Sequence, residues 1–179
     1  MPYLAIGIRC LLGAIFLASS VSKVAGRGSF GAFVTSVHAL RITRPERARP
    51  VAVGVLLAEF AVPVLLFAPL PAPAVPAGLV AAAGLLSVFA AGIVRALQRG
   101  TAAPCRCFGT ATVPLGIRHV VRNAVLAAAA VVGVLAAFRP GPVHPGGVAT
   151  AVLAGLALGA LVATLDYIAE LFRPVRALR

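Results

Sequence analysis

Five long apolar runs, separated by turn residues and basic side chains, set the pattern of this chain. Tyr3 to Val21 is apolar apart from Arg9, Cys10, Ser19 and Ser20, and a span over about residues 3–22 is enough to cross a hydrocarbon core of about 30 Å. Runs of similar length follow at about 51–70, 77–97, 119–138 and 147–172. Each is too long for a strand and predicts a membrane-spanning helix. The first run has no basic stretch before it and further spans after it, so it reads as a retained helix rather than a signal peptide. Residues 27–50 differ. Phe30, Phe33, Val34, Val37 and Leu40 recur at three- and four-residue spacing among Ser, Thr and His38. That segment is too short and polar to span, and predicts an amphipathic helix at the interface. The expected fold is an all-α polytopic membrane helix bundle, a single integral membrane domain over residues 1–179.

Composition agrees with that pattern. Hydrophobic residues make up 61% of the chain and charged ones 11%, and mean hydropathy is +1.04. A soluble domain would carry about 25% charged residues. The net charge of +12 suggests nucleic acid in a soluble protein. In a membrane chain it reports topology and attraction to anionic headgroups, so no nucleic-acid partner is expected beside the bilayer itself. With five spans, all Lys and Arg residues except Arg9 and Arg139 fall on one face. The positive-inside rule makes that face cytoplasmic, with the N-terminus outside and the C-terminus inside. The abundance of Ala, Arg, Pro and Gly suits a GC-rich bacterium, and hence a multi-pass protein of the inner (plasma) membrane.

The chemistry concentrates in Pro104-Cys105-Arg106-Cys107-Phe108-Gly109, a loop on the basic face between the third and fourth spans. Thiolate is the reactive form of cysteine, and the guanidinium of Arg106 favours it at Cys105 and Cys107. A Cys-x-Cys pair can close a small, strained and labile disulfide, or it can remain two inert loop thiols. Zinc needs about four ligands, and only His119 lies nearby, so no metal site is expected. Cys10, near the opposite end of the first span, reads as a small buried apolar residue. Inside the second span, Glu59 lies roughly 12 Å deep. A charge there must be protonated or paired. Lys23 is the favoured partner and Arg122 the alternative, as a packing ion pair or a proton relay. Asp166 and Glu170 lie near the basic end of the fifth span. Gly147, Ala151, Gly155, Gly159 and Ala163 recur every four residues in that span, a stripe that lets helix backbones approach. It suits packing within the bundle, a homodimer or a partner membrane helix. No Ser/His/Asp set, phosphate-binding glycine loop or carboxylate pair suggests a hydrolase.

These residues resemble a known family. Ser22-Lys23 after the first span, Glu59 followed by Pro63, Arg99-Gly100 leading into Cys105-Arg106-Cys107-Phe108-Gly109, and Arg122-Asn123 are similar to the MauE family of methylamine utilisation, within the DoxX-like membrane proteins. The resemblance covers about residues 1–138. It implies a four-helix DoxX-like core, to which the fifth transmembrane helix is an addition. It further implies a role in maturing a disulfide-rich protein beside a thioredoxin-like partner, with Cys105 and Cys107 as the redox pair and Glu59 and Lys23 as intramembrane polar positions. Two functions of different class follow. One is a membrane thiol–disulfide redox protein, exchanging electrons with a thioredoxin-like partner or a quinone among the helices. The other is a noncatalytic membrane subunit that docks a partner enzyme or membrane protein through its basic loops and the Gly155/Gly159 stripe. A small-molecule transporter rests on Glu59 alone.

Overall fold

Alternating directions of the long helices give the chain its architecture. The computed structural model describes residues 1–39, 44–70, 73–100, 116–139 and 141–171, with side chains as far as 165. The described elements are α1 (Pro2–Val24), α2 (Ser29–Ala39), a short 3-10 turn (Pro45–Arg47), α3 (Ala48–Phe67), α4 (Ala74–Gln98), α5 (Ile117–Ala137) and α6 (Pro145–Leu171). No strand occurs among the described residues. Among the described residues, five helices are long and apolar enough to cross a membrane: α1, α3 with its preceding turn, α4, α5 and α6. The protein is therefore an all-α multi-pass membrane bundle, as the apolar runs predict.

Local chemistry sets the helix ends. Pro2 opens α1, where a missing N–H costs nothing because the first turn has no acceptor for it. Gly26 and Gly28, at φ +119° and +87°, turn the chain out of α1. Gly100 closes α4 in the left-handed region at φ +63°, its N–H donating to the Leu97 carbonyl at 3.0 Å. The α3 and α4 helices each start about three residues before the apolar runs suggest. Pro50 and Pro76 lie within their first turns, and a proline is tolerated there.

Close contacts fix the register. Gly13 of α1 lies beneath the Phe67 ring of α3, and Lys23 of α1 reaches Glu59, so the two helices are antiparallel. Gly133 of α5 faces Ile8 of α1 and Leu79 of α4, and Val120 packs near Ile93 and Ala96. Each of α1, α3, α4 and α5 packs on two of the others in the ring order α1–α3–α4–α5. Leu12, Ile15, Phe16, Val62, Leu66, Leu79, Leu86, Leu126 and Ala130 fill the centre of that ring.

The α6 helix stands outside the ring and packs on α1. Its small-residue stripe makes this seam. Gly147 meets Tyr3, Gly155 meets Gly7 and Cys10, and Gly159 meets Leu11 and Ala14. Residue numbers rise together on both helices, so α6 is parallel to α1, as an odd number of spans requires. A β-carbon on Gly155 would overlap the Gly7 carbonyl oxygen and come within 2.9 Å of Cys10 Cβ. Within this chain the stripe thus serves intramolecular packing. The Tyr3 hydroxyl accepts the backbone N–H of His144 at 2.8 Å and ties the start of α6 to α1.

Among the described residues the amphipathic segment forms a helix over Ser29–Ala39. It packs on α1 and α3, buries Phe33, and brings Ala39 against Ile93 and Ala96 of α4. The α2 helix thus crosses one end of the ring. The ends of α1 and α4 and the starts of α3 and α5 meet at that end, with Lys23, Arg27, Arg44, Arg47, Arg49, Arg95, Arg99, Arg118 and Arg122 on or near them.

Candidate functional site

Six polar or charged residues are buried among the described residues: Ser19, Ser20, Lys23, Glu59, His119 and Asn123. All lie in the half of the bundle nearer the basic end. Apolar burial elsewhere makes their grouping a property of the fold and not of scattered sequence.

An ion pair forms the centre. Lys23 Nζ lies 2.8 Å from Glu59 Oε2 and donates to Glu59 Oε1 at 2.9 Å and to Ser19 Oγ at 2.6 Å. Ser19 Oγ in turn donates to Glu59 Oε1 at 3.2 Å. The side chains of Lys23 and Glu59 are 3% and 1% exposed, which places the pair among buried ones, where loss of one partner is costly. The α1 helix sets the geometry on one side, because Ser19 and Lys23 are four residues apart and share a face. On the other side, Pro63 has no N–H for the Glu59 carbonyl, its helical acceptor one turn back. That loosens α3 at the carboxylate-bearing residue. The Phe33 ring of α2 lies 5.1 Å from Lys23 Nζ and presents its face to the cation. Apolar walls and a ring on one side, a carboxylate and a hydroxyl on the other, hold one ammonium in place.

The α5 helix adds His119 and Asn123, one turn apart on the stripe that continues through Leu126, Ala130 and Gly133. His119 is 3% exposed and Asn123 is fully buried. Arg122 stands half-buried beside them.

The sequence-predicted residues fall as follows. Lys23 and Glu59 are brought together, and the ion-pair partner found for Glu59 is Lys23 rather than Arg122. Cys10 is buried in the seam with α6. Gly155 and Gly159 line that same seam. Cys105, Arg106 and Cys107 lie outside the described residues, as do the arginines beyond residue 171. The connection that carries them leaves α4 after Gly100 and enters α5 at Gly116, both at the basic end. Among the described residues no three His, Cys, Asp or Glu side chains converge as a metal site. Arg9, toward the other end, sets its guanidinium 5.7 Å over the Phe67 ring.

Sequence reasoning did not assign Ser19, Phe33, His119 or Asn123 to this site. The signal was present as spacing. Ser19 and Lys23, and likewise His119 and Asn123, are pairs four residues apart within apolar periodicity. Phe33 belongs to the apolar stripe of α2.

Comparison with known proteins gives one family. The model of the family described as methylamine utilisation protein MauE matches residues 1–136. No curated protein and no solved structure matches the chain.

Proposed function

The chain belongs to the MauE family, and from that premise we propose that it is a membrane thiol–disulfide exchange protein that supports the maturation of another protein. The observation that carries this reading is the Cys105-Arg106-Cys107 sequence in the connection from α4 to α5. That connection starts and ends at the side of the bundle that buries Lys23 and Glu59.

In the proposed step, one loop cysteine attacks a disulfide of a thioredoxin-like partner as its thiolate. A mixed disulfide forms and one partner sulfur leaves as thiolate. The second loop cysteine then attacks the loop sulfur of the mixed disulfide, closing Cys105–Cys107 and releasing the second partner sulfur. Two electrons pass from the loop dithiol to the partner disulfide, and two protons pass from the loop thiols to the partner thiolates through solvent. The reverse step balances in the same way, and relative potentials set its direction. Arg106 favours the attacking thiolate. The bundle supplies a rigid frame, braced by the Lys23–Glu59 pair. The positive-inside bias supports a cytoplasmic basic end.

The test is exchange between the purified protein and a thioredoxin-like dithiol or disulfide. Cys105→Ser/Cys107→Ser is expected to abolish exchange while membrane insertion is retained. Undiminished exchange in this double variant overturns the reading. A membrane-impermeant maleimide applied to intact cells and to inverted vesicles checks the orientation. Labelling of the loop cysteines confined to inverted vesicles is expected, and labelling of intact cells reverses the topology.

A further inference from the structure

Two buried polar groups on diagonally opposite helices face the centre of the ring. On α5, Asn123 is 0% exposed and neither its Oδ1 nor its Nδ2 has a hydrogen-bond partner. On α3, Glu59 Oε2 accepts no well-aligned hydrogen bond, although it lies 2.8 Å from Lys23 Nζ. Each belongs to the core-facing stripe of its helix. Asn123 precedes Leu126 and Ala130, and Glu59 precedes Val62 and Leu66, all members of the central cluster.

The register brings them to one level. Gly133 lies against Ile8, and Asn123 is ten residues, or about 15 Å, closer to the basic end. On antiparallel α1 that depth corresponds to about residue 18, beside Ser19 and Ser20. Glu59 is held at the same depth by Ser19 and Lys23. The buried positions of α4 are Gly78, Leu79, Ala82, Leu86, Ile93 and Ala96, with no polar side chain among them. Ser20 Oγ donates to the Phe16 carbonyl at 2.7 Å and keeps its own lone pairs for a donor.

We infer that this part of the ring axis is a buried water site, joining the Asn123 carboxamide across the bundle to Glu59 Oε2. The chemistry selects the ligand. Lys23 and Glu59 cancel in charge, so neither an anion nor a cation is favoured. Asn123 offers a donor and an acceptor, Glu59 an acceptor, and Ser20 an acceptor. A small neutral group that both donates and accepts satisfies them, and water makes about three such bonds in protein interiors. Water donates to Glu59 Oε2 and accepts from Asn123 Nδ2, and a further O–H serves Asn123 Oδ1 or Ser20. Hydration lowers the desolvation penalty of the Lys23–Glu59 pair within the membrane.

Two measurements on the full chain in detergent micelles test this. A dry, unpartnered carboxamide gains from apolar replacement, whereas a hydrated one loses its bridge. Asn123→Leu is therefore expected to lower Tm, and a raised or unchanged Tm overturns the inference. Pulsed hydroxyl-radical footprinting of the wild-type chain does not depend on the variant folding. Leu126, 4% exposed and one turn from Asn123, is expected to be oxidised well above Ile8, which is 7% exposed and lies toward the other end of the core. Equal labelling of the two overturns the water site.

Discussion

Lys23→Met is the sharpest test of the bundle's polar centre. The substitution keeps an unbranched, apolar side chain but removes the ammonium that reaches Glu59 Oε1 at 2.9 Å, Glu59 Oε2 at 2.8 Å and Ser19 Oγ at 2.6 Å. Glu59, 1% exposed, then retains Ser19 Oγ at 3.2 Å as its protein donor. An exposed ion pair contributes about 0–1 kcal/mol, whereas breaking a buried one costs about 3–5 kcal/mol because a buried charge is left unpaired. Exposures of 3% and 1% choose the second value. The stacked Phe33 ring, 5.1 Å from Nζ, adds about 0.5–2 kcal/mol that is lost in the same step. Removing both charges, as in Lys23→Met/Glu59→Met, abolishes the unpaired carboxylate and is expected to recover at least half of the loss. The assay is reversible unfolding in mixed micelles with increasing denaturing detergent, followed by helical circular dichroism, on wild type, both single variants and the double variant. A loss below about 1 kcal/mol for Lys23→Met, or additive single effects in the double variant, refutes the reasoning.

Two further substitutions test the helix seams by the same unfolding assay. Gly155→Val puts a branched side chain where a β-carbon alone would overlap the Gly7 carbonyl, so α6 must shift from α1. A loss of about 1–3 kcal/mol is expected from overpacking, and unchanged stability would show that the seam is loose. Gly54→Ala, within α3 and with no atom within 4 Å of the added carbon, is expected to stabilise by about 0.5–1 kcal/mol through helix propensity. A loss there would mean that this face of α3 is covered.

The spans and the central pair were legible in the sequence for one reason. In a run as apolar as residues 51–70, a single carboxylate is conspicuous, and Lys23 closes the preceding span at the matching end. The start of α3 was less legible, because Pro50 resembles a break and only its place in the first turn makes it harmless. Asn123 was the least legible. Beside Arg118, His119 and Arg122 it reads as part of a solvated helix end, and its burial depends on helices that pack around α5. Those neighbours are α1 and α4, about a hundred and more than twenty residues away in the chain. The small-residue stripe of α6 was visible, but spacing alone could not choose α1 over a second chain. The Gly147–Tyr3, Gly155–Gly7 and Gly159–Leu11 contacts make that choice.

The division between ring and flanking helix also separates the site from its support. Lys23 and Ser19 come from α1, Phe33 from α2, Glu59 from α3, and His119 and Asn123 from α5. All precede residue 137, and the family match covers residues 1–136. The four-helix ring closes through its own α1–α5 contact, so the polar centre does not need α6 to be enclosed. What α6 does cover is the face of α1 bearing Gly7, Cys10, Leu11 and Ala14. Small residues there admit a backbone at close range, and without α6 lipid chains would meet that face. Because α6 runs parallel to α1 and is tied to Tyr3 at its start, it can brace α1 along most of its length without entering the ring. The helix that carries Lys23 is thus held from inside by the ion pair and from outside by α6.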